Sequence, residues 1–238
     1  MAGSRDTDKT DKFYSGYSKI FVAIDCIIFG FINNDLNILL FKRDIEPEKG
    51  KLSLIGGFVQ EKESPEDAAQ RILLNLTGIK DVFLEQLFAF GEPERDPGER
   101  VISVAYYALL KAQDLDNEHV ELHGARWCPV NDSTDLIFDH NEMRDRALLR
   151  LQRRAKSRPI GFELLPRKFT IPQLQSLYET IYQKKFDNRN FRKKLLTMNI
   201  LEQLGVKDKT GSKKGAYLYR FDKEKYDRFL REGFLFNL

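Results

Sequence analysis

A glutamate and an arginine, Glu63 and Arg71, stand eight positions apart in the stretch from Gly57 to Gly78. A carboxylate and a guanidinium so placed can hold a cation and a phosphate, or can pair with each other across a loop–helix corner. A hard cation such as Mg²⁺ takes several oxygen ligands, usually carboxylates. One glutamate is too few, so pairing is the expectation and no metal is assigned. A second polar set, Glu92, Arg95, Asp96, Glu99, Arg100 and Ser103, occupies a loop and the start of the strand after it. Such a set can clasp a polar small molecule, whose hydroxyls must exchange water for protein hydrogen bonds. Equally, these can be ordinary loop charges and fold-internal salt bridges. Asp25 lies inside the apolar run 20–30. A carboxylate there is costly without a partner, a ligand or an exposed end, and Arg43, closing the next strand, is a candidate partner. His140 reads as a hydrogen-bonding residue near a helix start, and Trp127 as core. No catalytic residue is assigned. Cys26 and Cys128, the only cysteines, have neither metal-ligand spacing nor the density of a disulfide scaffold, which fits a reducing, cytoplasmic setting. The third set is mostly cationic: Asn188, Arg189, Arg192 and Lys193, flanked by Lys194, with Lys209, Lys213 and Lys214 further on. Arg and Asn can read guanine and adenine edges, and any of these side chains can bind phosphate.

These groups need elements to position them. The runs 20–30, 36–43, 52–59, 82–91, 101–110 and 123–130 read as strands, the third broken by Gly56-Gly57, with a turn at Asn33-Asn34-Asp35. Ser64 can cap a helix that Pro65 starts, that Glu66 and Asp67 favour at its positive end, and that Gly78 stops. A second helix spans about 141–155, and residues 157–168, with two prolines and a glycine, read as a linker and a first short strand. Thr170 caps a helix with apolar positions Ile171, Leu174, Leu177, Tyr178, Ile181 and Tyr182. Asp187 caps the next, where Phe191, Leu195 and Leu196 face inward and leave the third polar set outside. Two β-like runs, 200–208 and 216–221, flank a Gly- and Lys-rich tip and make a hairpin. Tyr217, Tyr219 and Phe221 share one face of it, facing the core. A helix pair of this kind, with Arg, Lys and Asn near the N-terminal end of the second helix, suits the DNA major groove.

Charge divides the chain in the same place. Residues 157–238 hold 18 Lys and Arg against 9 Asp and Glu, a charge of +9, which leaves −6 on the remainder of a chain whose net charge is +3. An acidic part joined to a basic one is the footprint of a sensor fused to a nucleic-acid binder. No apolar run reaches the roughly 18 residues that span a bilayer, and the polar start lacks the apolar core of a secretory signal. No membrane partner is expected.

In one ungapped frame, residues 57–79 resemble the Nudix box, G-x5-E-x7-R-E-U-x-E-E-x-G-U, where U is a bulky aliphatic. Gly57, Glu63, Arg71, Leu73, Gly78 and Ile79 match. The box's helical carboxylates fall at Ile72, Asn75 and Leu76. In that family those acids hold the divalent cations that polarise a pyrophosphate. The resemblance therefore implies a degenerate, catalytically inactive box with no metal and no cofactor. From Tyr17 onward the chain resembles the Nudix-related transcriptional regulators, NrtR-like and AraR-like. The matching stretches are 24–31, 39–47, 95–110, 137–143 and 169–196, and the look is closest to the arabinose-responsive type. The resemblance implies an α+β protein. A tail (1–16) precedes a Nudix-like α/β/α sandwich (17–156) and a winged helix-turn-helix domain (157–238), whose Lys-rich hairpin tip is the wing. It further implies a homodimer that binds double-stranded operator DNA and responds to a small-molecule effector, a pentose such as L-arabinose. The effector site would draw on Asp25, Arg43, Glu92, Arg95, Asp96, Glu99, Arg100 and Ser103. Two alternatives stand beside this reading: a regulator that senses ADP-ribose or a related nucleotide, and an active Nudix pyrophosphohydrolase with carboxylates supplied from outside the box.

Overall fold

The computed structural model describes residues 14–111, 117–133, 135–210 and 214–233. Its central strand, β1 (Phe21–Ile32), is the apolar run that carries Asp25. Both faces of this strand are buried, hence the continuous apolar run. Ile24, Cys26 and Ile28 enter one core cluster, and Ile27, Phe29 and Phe31 the other. Asn33 and Asn34, both at positive φ (51° and 63°), make the two-residue turn into β2 (Asp35–Lys42). β3 (Leu52–Ser53), β4 (Ile55–Phe58), β5 (Glu85–Phe90), β6 (Val101–Leu110) and β7 (Ala125–Pro129) complete a seven-stranded sheet. β1 pairs in parallel with β6 from Phe21↔Val101 to Gly30↔Leu110. Its other edge takes β4 first and then β2, both antiparallel.

Helix α1 (Pro65–Thr77) covers one sheet face. Ser64 and Asp67 cap it reciprocally, and Gly78, at φ 72°, ends it in the left-handed conformation. The short α2 (Asn117–Leu122) lies on the same side through Val120. Helix α3 (His140–Ser157) covers the other face with Met143, Ala147, Leu148 and Leu151. The result is an α/β/α sandwich.

The C-terminal elements are α4 (Gly161–Leu164), β8 (Phe169–Thr170), α5 (Ile171–Tyr182), α6 (Asn188–Thr197), β9 (Leu201–Asp208), β10 (Ala216–Phe221) and α7 (Lys223–Arg231). Thr170 and Gln173 cap α5 reciprocally with Pro172 in its first turn, and Asp187 caps α6 by accepting the Asn190 N–H at 2.8 Å. β10 runs between β8 and β9 in a small sheet. Helix, helix and hairpin form a winged helix.

Four local expectations need correction. Residues 157–168 hold no strand: α3 runs to Ser157, α4 follows, and β8 begins only at Phe169. Leu196 is not core but 40% exposed, because Phe191 and Leu195 already define the inner face of α6. Tyr217 leaves the core face of the hairpin, since the β9–β10 register shifts between Tyr217 and Tyr219, and only Tyr219 is buried. Arg43 does not pair with Asp25, for reasons given below. Helices α2 and α7 carry no expectation from sequence.

A single buried cluster runs from Ile27 and Phe29 through Leu151 on α3 to Leu174 and Leu177 on α5. Polar contacts reinforce the join: Ser176 donates to the Asn34 carbonyl at 2.9 Å, and Gln152 to the Ile181 carbonyl at 2.8 Å. Among the described residues no helix is long and apolar enough to cross a membrane.

Candidate effector cleft and nucleic-acid interface

The parallel register sets Ser103 on β6 near Asp25 on β1, and the Ser103 hydroxyl donates to Asp25 Oδ2 at 2.6 Å. Arg95, from the loop before β6, lies 3.7 Å from the same oxygen. Arg95 also grips Asp139 with two hydrogen bonds, Nε to Oδ2 at 2.8 Å and Nη2 to Oδ1 at 2.6 Å. His140, the first residue of α3, completes the cluster: its Nδ1 accepts the Leu54 N–H at 3.1 Å, and its Nε2 faces Asp25 Oδ1 at 3.4 Å. Burial pushes the His140 pKa down, so the ring is neutral at pH 7. With Nδ1 accepting, the proton sits on Nε2 and points at Asp25. For Arg95 burial works against the charge, but the Asp139 hydrogen bond and the Asp25 charge outweigh it and hold the pKa above the usual value. Gly56 lets β4 come this close, since a β-carbon there would fall on Asp25 Oδ1.

The eight expected effector residues thus divide. Asp25, Arg95 and Ser103 meet in one buried cluster. Arg100 braces the loop by donating to the carbonyls of Gly91 and Val101, and Asp96 accepts the Gly98 N–H. Glu92 and Glu99 are exposed on that loop. Arg43 makes no ion pair with Asp25: its Nε donates to the carbonyls of Ile45 and Pro47, and its guanidinium lies 5.3 Å from the ring centre of Phe138, a residue at the edge of the cleft described below. The loop that Arg43 closes holds its Nε, and the parallel β1–β6 pairing brings Asp25 to Ser103 and to Arg95 from the loop before β6. Sequence reasoning missed Asp139. It precedes a helix, as a capping residue does, yet makes no cap hydrogen bond because both its oxygens serve Arg95.

Beside this cluster opens a cleft of about 730 Å³, with Phe90, Glu92, Arg95, Asp139 and Arg146 among its walls. The Arg146 guanidinium lies over the rings of Phe88 and Phe90, at 4.9 and 5.3 Å. The volume lies within the range of small-molecule sites.

On the other sheet face, Glu63 and Arg71 pair through two bonds, 2.8 and 2.5 Å, while Arg71 also holds the Phe58 carbonyl and Glu63 accepts the Gln60 N–H. The Arg71 hydrogen bond draws the Glu63 pKa down to about 2. Further along α1, Ile72 is buried, with its side chain 3.2 Å from where a Gly57 β-carbon would lie. Asn75 is exposed and Leu76 half-buried. These positions offer a divalent cation one neutral oxygen, and Glu63, the carboxylate that the box retains, is bound to arginine. The residues present do not fit a magnesium centre. Cys26 is fully buried and burial pushes its thiol far up, so it is neither nucleophile nor ligand at neutral pH.

In the winged helix, Asn188, Arg189, Arg192 and Lys193 all lie on the exposed side of α6. Gln175 donates to Asn188 Oδ1 at 2.6 Å, and Arg192 reaches the Tyr219 hydroxyl at 3.4 Å, so this flank faces α5 and the hairpin. Lys209 and Lys214 are exposed near the hairpin tip, and Lys213 falls outside the described residues. The turn between the helices is fixed by Glu179, which accepts from the Phe186 N–H, Gln175 and Lys185. Although burial raises the Glu179 pKa, these bonds hold it down at about 2.

A seven-stranded α/β/α sandwich joined to a winged helix with a cationic outer helix defines a two-domain regulator. Residues 21–151 match the NUDIX domain family, and residues 161–221 match the NrtR DNA-binding winged helix domain. The chain belongs to the NrtR family of Nudix-related transcriptional regulators. It is 30% identical over 217 residues to the ADPR responsive transcriptional repressor NtrR of Acinetobacter baylyi, covering 90% of this chain and 86% of that protein. It is similar to the crystal structure of Shewanella oneidensis NrtR complexed with a 27mer DNA, with a TM-score of 0.73 and 27% identity over 91% of this chain and 99% of that one. The NUDIX domain of Shewanella oneidensis NrtR complexed with ADP ribose is similar to 60% of this chain, over 97% of its own length, with a TM-score of 0.52 and 28% identity. These relatives are of the ADP-ribose type. They correct the arabinose-type resemblance and give a sugar effector no support.

Proposed function

We propose that this protein is an ADP-ribose-responsive transcriptional repressor, in which the Nudix domain binds the nucleotide and the winged helix of a homodimer binds operator DNA. The observation that carries this reading is the likeness over nine-tenths of the chain to Shewanella oneidensis NrtR, a protein crystallised with DNA and, as its Nudix domain, with ADP ribose. The geometry supports it. A cleft large enough for a nucleotide opens beside Arg95, and an exposed row of Arg, Lys and Asn lies on α6. The cluster and loop residues Asp25, Glu92, Arg95, Asp96, Glu99, Arg100 and Ser103 are the proposed surroundings of the effector. Asn188, Arg189, Arg192, Lys193, Lys209, Lys213 and Lys214 are the proposed contacts to DNA. The domain senses its ligand without hydrolysing it, because Ile72, Asn75 and Leu76 give a cation no carboxylate.

Fluorescence anisotropy on a duplex from upstream of its own gene, with and without ADP-ribose or L-arabinose, tests this reading. The expected result is binding that ADP-ribose shifts by about 5- to 150-fold, the usual range of allosteric coupling, with arabinose inert. A response to arabinose alone, or rapid Mg²⁺-dependent turnover of ADP-ribose, would defeat it.

A further inference from the structure

Helix α6 has two flanks, and the contacts to α5 and the hairpin account for only one. The other faces α7, which lies beyond the segment matching the winged-helix family. Between α6 and α7 runs an open groove of about 1010 Å³. Lys193 and Lys194 line it from α6, Lys225 and Arg228 from α7, and one carboxylate, Glu232, from just past the end of α7; Met198 and Phe229 add apolar lining. Tyr226 and Phe229 pack against the core cluster, which fixes the cationic edge of α7 toward α6. Lys225 lies 3.5 Å from Asp222, but among the described residues Lys193, Lys194 and Arg228 have no carboxylate partner. Four cations face one acid here, three of them without a carboxylate partner, so the groove carries a positive field that attracts anions.

We propose that the α6–α7 groove receives the phosphodiester backbone of DNA, with Lys194 and Arg228 contacting phosphates beside the base-reading face. This rests on the reading of α6 as the DNA-binding helix. The dimensions are compatible with such a contact. The major groove is about 12 Å wide and an α-helix with its side chains is about 10–12 Å across. An inserted helix therefore has a phosphate backbone along each flank. The hairpin side meets one backbone, and α7 stands where the other must pass. Contacts of this kind set register and affinity without reading sequence.

The test uses the full-length protein and its Lys194→Ala, Arg228→Ala and doubly substituted variants. Affinity is measured as a function of salt on the upstream duplex and on a scrambled duplex of equal length. Each substitution should weaken both duplexes by the same factor and lower the slope of log K against log salt by about 1, and the pair by about 2. Arg228→Lys should keep the slope, and unchanged melting temperatures would exclude a folding defect. Wild-type binding with variants of unchanged affinity and slope would overturn the groove assignment alone. A wild type that binds neither duplex would overturn the DNA reading, and the groove with it.

Discussion

Arg95 stands between two carboxylates where water scarcely reaches it, its side chain only 3% exposed. Removing one member of a buried ion pair is far more damaging than never having built it, because the remaining charges stay desolvated. Arg95→Ala is therefore expected to destabilise the protein by roughly 3–5 kcal/mol, read from the denaturation midpoint. A loss under about 1 kcal/mol would mean that the cluster relaxes into solvent. His140 gives a second prediction. Its folded pKa lies below the unfolded 6.5, so acid favours the unfolded chain. Its contribution to stability is complete above pH 6.5 and drains away as the pH falls below it toward the folded value. In His140→Asn, whose side-chain oxygen can still accept the Leu54 N–H, stability between pH 8 and pH 5 should decline less than in the wild type. Parallel curves would place the titration elsewhere.

At the scale of elements, α3 runs from the buried cluster to the winged helix, alongside the β1–β2 turn that also meets α5. Asp139 and His140 stand at its start, beside the cleft, and Gln152 near its end donates to the Ile181 carbonyl on α5. At 1.5 Å per residue its 18 residues span about 27 Å. If ADP-ribose binds in the cleft, any movement of Arg95 and Asp139 would be felt by the helix that α5 rests on. Gln152→Ala should leave the affinity for ADP-ribose nearly unchanged while shrinking the ADP-ribose effect on DNA binding. Calorimetry gives the first quantity and anisotropy the second; an undiminished effect would remove α3 from the path. The capped elements were legible because their signals are local: Ser64, Pro65 and Gly78 bound α1, Thr170 and Pro172 start α5, and Asp187 starts α6. The partner of Asp25 was not. Arg43 and Arg95 are equally plausible by type, and the choice depends on a parallel strand register that no short stretch encodes. Helix α7 was missed although its signal is local: Asp222 caps it, and Tyr226, Phe229 and Leu230 recur at i, i+3 and i+4 in an otherwise charged segment.

At the scale of the whole molecule, the change of charge near Ser157 suggested two separable parts, whereas the packing joins them. Leu151, Ala155, Leu174 and Leu177 belong to the same buried cluster as Ile27 and Phe29. Shared apolar burial makes unfolding cooperative. A single calorimetric transition is expected for the full chain, and two resolved transitions would contradict it. The fused core also bears on engineering. A hybrid regulator cut and spliced near residue 157 would expose apolar surface on both pieces. A new sensor could be grafted onto this winged helix only if it brought its own equivalent of Leu151 and Ala155 and of the Asn33-Asn34 tip, so the portable unit here is a seam and not a hinge.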